Sequence, residues 1–383
     1  MYDGSMKTEK KEKRGLAAIF ALCPGRHCLL LLSGLVIILH LATRGNHALN
    51  RWLSANFVHP LHRVLSAATN VLPFSLAELL IAAAVLGLIA YLVSAAVQLV
   101  RQGRKLQQVY IILVTLLTAG LAVYGGFCLL WGVYYYGDDF AAQSGLRREK
   151  ISVEQLRTVT AYFADLANEY APQVRRDENG ICATDREKVL LESEHVYAGT
   201  ERLYPCLEGP AVRAKGVLCS KVMSLIDFTG FFFPFTAEAN VNMDFPPSLF
   251  ASTVAHELAH QRGVAKEQEA NFVAVLASLQ YGDPDYVYSA ALLAYTHLGN
   301  ALYKADHTAW EEVYTDLCDE VKLDFAANRR YWQQFETPVQ QVSNTVYEGF
   351  LQSYDQELGL KSYGACVDYL VNYYYETALA NGD

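Results

Sequence analysis

His256-Glu257-Leu258-Ala259-His260 carries two imidazoles four residues apart, with a carboxylate next to the first. On a helix, positions four apart share a face and stand about 6 Å from one another, so both histidines can present a nitrogen to one divalent ion. Glu257 then lies beside that ion. Zinc peptidases use this arrangement: two histidines hold the metal and the glutamate acts as general base. A chain with 10 His and 40 Asp plus Glu in 383 residues meets such a pattern by chance only roughly 0.03 times. A helix that merely happens to hold two histidines is therefore the weaker account.

The neighbouring residues supply the elements that must position this group. Pro247-Ser248 suits the first turn of a helix, and Gly263, three residues after His260, suits a left-handed C-terminal cap. A second helix is expected from about 266 to 281, stopped by Gly282. Glu267 falls in its first turn, where a third ligand can fold back on the metal. Glu269 competes, but two residues are about 200° of helix, so the two carboxylates cannot face one ion together. Glu267 shares its face with Ala270, which allows close approach, and with Asn271, whose amide can hold a liganding histidine. Glu267 is the preferred third ligand.

His256-Glu257-x-x-His260 followed by Glu267-x-x-Ala270-Asn271 resembles the paired motifs of gluzincin metallopeptidases, including HtpX-like and CAAX-prenyl-protease-like membrane enzymes and ImmA/IrrE-like peptidases. The linker between the two motifs is shorter here. The resemblance implies that Glu267 is a zinc ligand. The chain also resembles a family of bacterial membrane proteins with N-terminal transmembrane helices and a zincin-like domain. That likeness is carried by the run from Gly230 to Asn242, by HELAHQRG and by Ser362-Tyr363-Gly364, and it implies one Zn2+ per chain but names no substrate.

Charge is unevenly divided. The first 137 residues hold 12 Lys plus Arg against 4 acids, leaving 19 against 36 for the rest and a net charge of −9. An acidic C-terminal part argues against nucleic acid, whose phosphates need basic surface. Three apolar runs, about 28–43, 74–97 and 109–132, are candidate transmembrane helices. The first also fits a cleaved signal peptide. Lys7, Lys10, Lys11, Lys13, Arg14 and Arg26 precede the first run, and Arg101, Arg104 and Lys105 separate the second from the third. The positive-inside rule then puts the N-terminus in the cytoplasm and the metal domain outside a bacterial cell membrane. Ser75-Leu76-Ala77-Glu78 reads as a capping box at the start of the second run, which makes Glu78 an interfacial cap and not an intramembrane functional acid.

The expected architecture is mainly α. A basic cytoplasmic N-terminus (1–27) precedes a membrane domain (28–137), and an α+β zincin-like metallopeptidase domain (138–383) follows, with a small edge-strand sheet and a helical C-terminal part. Ser152-Val-Glu-Gln starts a helix packed through Leu156, Val159, Phe163 and Leu166. A loop over 172–185 and a helix over about 186–198 come next. Aromatic and β-branched residues make 228–242 the likeliest strand region, with Pro234 confining it to an edge or bulge. Such an edge can hold a peptide by strand addition. Glu238, Asn240 and Asn242 are candidates to line that cleft, or equally to satisfy local backbone. After Gly282 the chain reads as helical: one helix from Asp283-Pro284, one from Asp306 to about Phe335, one from Thr337-Pro338 to Gly359, and one from Ser362 to about Leu379. Five of eight cysteines fall in the 138–383 domain; small buried thiols are expected there, with a Cys182–Cys206 disulfide as the alternative.

The expected function is a membrane-anchored zinc metalloendopeptidase acting on peptide or protein substrates in the cell envelope. His256, His260 and Glu267 hold zinc, and Glu257 serves as general base. His297, Tyr295, Tyr303 and Tyr347 are candidate oxyanion donors. Two rivals stand beside it. Glu192-x-x-His195 and Glu257-x-x-His260 match the paired motifs of carboxylate-bridged di-iron bundles. The other rival is a non-catalytic envelope protein braced by zinc.

Overall fold

Pro24, whose fixed φ suits a first helical turn, opens α1 (Pro24–Thr43). The computed structural model describes residues 17–101, 105–146, 149–354 and 364–382. The basic residues from Lys7 to Arg14, together with Arg104, Gly359, Ser362 and Tyr363, lie outside the described residues. After α1 come α2 (His47–Leu53), a π-helical turn (Ser54–Val58), α3 (His59–Thr69), α4 (Leu76–Arg101) and α5 (Lys105–Leu130). α1, α4 and α5, of 20, 26 and 26 residues, are long and apolar enough to cross a membrane. Their apolar side chains face outward, Leu31 at 68% and Leu86 at 66% exposure, as a hydrocarbon surrounding requires. The segment between the first two apolar helices is itself helical, through α2, the π-helical turn and α3.

The rest of the chain forms α6 (Phe140–Ser144), α7 (Val153–Tyr170), α8 (Arg186–Glu192), α9 (Thr200–Leu203), β1 (Lys215–Val217), α10 (Ser220–Leu225), β2 (Gly230–Phe233) and β3 (Glu238–Asn242). Then follow α11 (Phe250–Gln261), α12 (Glu267–Tyr281), α13 (Pro284–Ala305), α14 (His307–Thr315), α15 (Asp319–Gln333), α16 (Pro338–Ser353) and α17 (Gly364–Gly382). The start signals act as expected. Ser152 and Gln155 close a capping box on α7, Asp283 and Thr337 cap α13 and α16, and Gly282 ends α12 at φ +80°. Leu156, Val159 and Phe163 are buried, while Leu166 packs at the margin of the same core.

The sheet has the order β1-β3-β2, with β1 parallel and β2 antiparallel to β3. All five residues of β3 are buried, as befits its central place. Pro234 sits in the turn between β2 and β3, where its missing N–H removes no ladder bond.

Several expectations are corrected. The helix over 186–198 stops at Glu192 and tightens into a 3₁₀ turn over Ser193–His195. The helix from Asp306 is broken at Asp316–Cys318 into α14 and α15, because the Asn168 side chain takes over the Asp316 C=O and the Cys318 N–H, at 2.9 and 2.8 Å. α16 ends at Ser353. All eight cysteines are free thiols; Cys182 bonds Thr184 Oγ1 at 3.3 Å and makes no disulfide with Cys206.

The capping box at α4 is only half realised. The Glu78 N–H donates to Ser75 Oγ at 2.9 Å, but the Glu78 carboxylate accepts from the backbone of Leu218 and Cys219, at 2.9 and 2.7 Å. The first N–H groups of α4 are met from the sheet instead. Leu76 and Ala77 donate to Glu238 at 3.1 and 2.7 Å, and Lys215 Nζ of β1 donates to the same carboxylate at 2.6 Å. A buried ion pair at a helix N-terminus thus joins an apolar helix to the sheet.

Glu238→Ala is expected to strand the Lys215 ammonium and two α4 N–H groups, costing about 3–5 kcal/mol. Glu238→Gln, which keeps an acceptor, is expected to cost less. Thermal unfolding of the full chain in detergent micelles checks both; equal melting of Glu238→Ala and the unaltered protein would refute the joint.

Candidate metal centre

α11 is buried along its length except where Thr253 and His256 meet the cavity. Phe250, Val254 and Leu258 are fully enclosed, and each contributes roughly 1.5–3 kcal/mol by leaving water. The helix ends in a Schellman turn: Val264 N–H donates to Ala259 C=O and Gly263 N–H to His260 C=O, with Gly263 at φ +87°. That reversal aims the Val264 carbonyl back at His260, whose Nδ1 donates to it at 2.7 Å. His256 Nδ1 donates to Asn271 Oδ1 at 2.9 Å, one turn beyond Glu267 on α12. Carbonyl oxygens only accept, so both rings carry a proton on Nδ1 and turn Nε2, the nitrogen left for a metal, towards Glu267.

The two Nε2 atoms lie 3.2 and 3.6 Å from the two oxygens of Glu267. Zinc bonds of 2.0–2.1 Å at tetrahedral angles place neighbouring ligand atoms about 3.3–3.4 Å apart, so the spacing fits one ion. One ligand atom from each of His256, His260 and Glu267 lies within 4.8 Å of the others. The donor set, two imidazoles and a carboxylate with both imidazoles oriented from behind, suits zinc.

Electrostatics separates the two glutamates. Burial pushes the Glu257 carboxyl up to about 7, against the pull of His256 and His260. Burial acts in the same sense on Glu267, but His260 and His256 outweigh it and hold that carboxyl well below the usual range. Burial disfavours an imidazolium at His260, yet the Glu267 charge raises it to about 9. Glu257 Oε2 is buried with no hydrogen-bond partner, so this carboxylate keeps a free acceptor. Gly230, at the head of β2, makes room for it: a Cβ there would stand 2.5 Å from Glu257 Oε1.

These groups open on a cavity of about 690 Å³ whose wall includes Gly230, Phe231 and Phe232 of β2. Asn242 N–H donates to Thr229 C=O, so the antiparallel alternation turns Phe231 and Phe233 towards β3. The N–H and C=O of Gly230 and Phe232 face the other way, along the outer edge of the sheet. Tyr347 of α16 also lines the cavity and donates to Glu267 Oε1 at 2.9 Å.

Other expected residues lie elsewhere. Glu269 is not a ligand: it accepts from the N–H groups of Phe140 and Ala141 at 2.9 and 3.0 Å and caps α6. Glu238 caps α4. Asn240 accepts from Ser75 Oγ at 2.6 Å and Asn242 donates to Ser224 Oγ at 2.9 Å, so this alternate face of β3 satisfies local backbone and hydroxyls rather than lining the cleft. Among the oxyanion candidates, Tyr295 packs on Phe325, Tyr303 is 49% exposed, and His297 is buried outside the cavity wall. Glu192 pairs with Lys188, and the His195 side chain is 63% exposed beside Glu194. Among the described residues, His256, His260 and Glu267 are the one metal-competent cluster of three, so the paired di-iron arrangement is not formed.

Trp131 and Tyr135, just after α5, are among the wall residues that sequence reasoning did not single out, and Gly230 entered it only as the start of the 230–242 run. The Trp131 ring meets the His260 ring edge-on at 5.8 Å. The aromatic cluster that closes the third apolar run was the available signal.

Purified protein is expected to hold one zinc per chain by elemental analysis. His256→Ala, His260→Ala and Glu267→Ala should lose it, Asn271→Ala should bind it 10–100-fold more weakly, and Glu269→Gln should keep it. Full zinc in Glu267→Ala with loss in Glu269→Gln would reverse the ligand assignment.

A family model described as "Protein of unknown function (DUF3810)" matches residues 54–371, which include both apolar helices α4 and α5 and the whole His-His-Glu cluster. No curated protein and no solved structure matches the chain. With most of its length inside that match, the chain belongs to the DUF3810 family.

Proposed function

We propose that the chain is a membrane-anchored zinc metallopeptidase that hydrolyses peptide bonds. The observation that carries this reading is the pairing of a convergent His256-His260-Glu267 set with a buried, unpartnered Glu257 oxygen beside the outer edge of β2. Zinc, when bound, supplies Lewis acidity that polarises a carbonyl and lowers the pKa of water.

The chain's own residues do the rest. The outward N–H and C=O groups of Gly230 and Phe232 pair with an extended substrate and fix its register against Glu257. Glu257 takes the proton from the attacking water and returns it to the leaving amine nitrogen, a task suited to a buried carboxylate with a free acceptor oxygen. The Tyr347 hydroxyl, which lines the cavity and donates to Glu267 Oε1, would turn its one proton from that oxygen to the carbonyl oxygen as charge grows there. The excess of basic residues before α1 and between α4 and α5 supports a cytoplasmic N-terminus and a metal site outside the cell membrane.

Glu257→Gln is expected to keep zinc and lose turnover by 10²–10⁴-fold. Comparing peptides released in native cell envelopes bearing either form tests this; indistinguishable profiles would favour a zinc-braced, non-catalytic protein. Tyr347→Phe, assayed with zinc in excess of any weakened affinity, should lower kcat by about 10²–10³-fold, and a full-rate Phe variant would remove the tyrosine from the reaction.

A further inference from the structure

The position of the cleft relative to the apolar helices narrows the substrate. Phe127, in the last turn of α5, is part of the cavity wall together with the metal ligands. One residue earlier, a Cβ at Gly126 would stand 2.8 Å from the Phe235 ring, so the tip of the β2–β3 hairpin packs on α5 a turn before that helix ends. The same hairpin meets the start of α4 through Glu238, whose carboxylate accepts from Leu76 and Ala77. The N-terminus of α4 and the C-terminus of α5 are therefore at one level, and the hairpin tip is at that level too. Trp131, just past the end of α5, packs on Phe232 at 4.9 Å, at the height where membrane proteins place aromatic rings.

β2 runs from Gly230, against Glu257, to Phe233 at the hairpin turn. Three residue steps at about 3.3 Å separate these points by roughly 10 Å. A bond held beside Glu257 is thus about three residues from the apolar helix ends. Antiparallel pairing, the more stable of the two modes, sends a bound strand from the hairpin tip towards Glu257 in its N-to-C direction. Among the described residues, no Lys or Arg lines the cavity to receive a terminal carboxylate, which favours an internal bond.

We infer that the cleft receives the juxtamembrane segment of a polypeptide anchored in the same bilayer by an apolar segment on the N-terminal side of the bond held at Glu257. This rests on the peptidase reading of the same site.

The test uses full-length protein, wild type and Glu257→Gln, in phosphatidylcholine–phosphatidylglycerol vesicles. Three reporters share one degenerate 14-residue cassette containing photo-leucine (a length of about 48 Å when extended): one tethered by an N-terminal apolar helix, one by a C-terminal apolar helix, one untethered. The N-tethered reporter is expected to cross-link to β2 at least tenfold more than the others and to be cut only by the wild type, about three to six residues from its apolar boundary. Equal cross-linking of the untethered or C-tethered reporter, or cuts spread evenly along the cassette, overturns the inference. Preferential cross-linking of the N-tethered reporter with no cutting by either form upholds the inference about the cleft and refutes hydrolysis.

Discussion

One carboxylate holds the two parts of the molecule in register. Glu238 lies at the first turn of α4 and accepts from two backbone N–H groups, from Thr236 Oγ1 and from Lys215 Nζ, so every oxygen lone pair that burial would penalise has a donor. Its place at a helix N-terminus adds the favourable end of the dipole. β3 is fixed by this contact, and what matters at the site hangs from β3. β2 pairs with it, and Gln261, the last residue of α11, donates to Ala237 C=O in the adjoining turn at 2.8 Å. The helix that carries both histidines and the strand that faces Glu257 are thereby referred to a single joint with the apolar helices.

The acidic residues near this joint divide by what meets them. Glu78, Glu238 and Glu269 each accept backbone N–H groups at a helix or turn start, which fixes them as caps. Glu267 meets imidazoles and is held charged, while Glu257, whose Oε2 has no hydrogen-bond partner, is pushed up by burial against the pull of the same two histidines. Two carboxylates ten residues apart in sequence thus acquire opposite tendencies from their surroundings alone, one suited to ligation and the other to moving a proton.

Aromatic side chains join the cleft to the apolar helices. Trp131 touches both His260 and Phe232, and Phe127 meets Phe350 of α16, the helix that brings Tyr347 over Glu267. The site is therefore walled on one side by residues continuous with α5, and its geometry depends on how that helix ends. Gly126 and Gly230 serve the same end by omission, since a side chain at either would displace Phe235 or Glu257.

Much of this was legible in the residues themselves, wherever the determining contacts are local. His256, His260 and Glu267 converge because helix periodicity and a Gly263 turn act within twelve residues, and Asn271 follows from one further turn. The apolar helices, the caps at Ser152, Asp283 and Thr337, and the strand character of 228–242 are likewise short-range properties. Tertiary structure alone decided which N–H groups these acids cap, because Glu238, Glu78 and Glu269 satisfy N–H groups between 128 and 162 residues away, a distance over which no periodicity carries information. It also decided that Tyr347 rather than His297 stands at the site, that α14 and α15 are separate helices, and that Gly230 abuts Glu257. Each of these depends on which surfaces pack together, and a residue's type and spacing do not encode its partner across the fold.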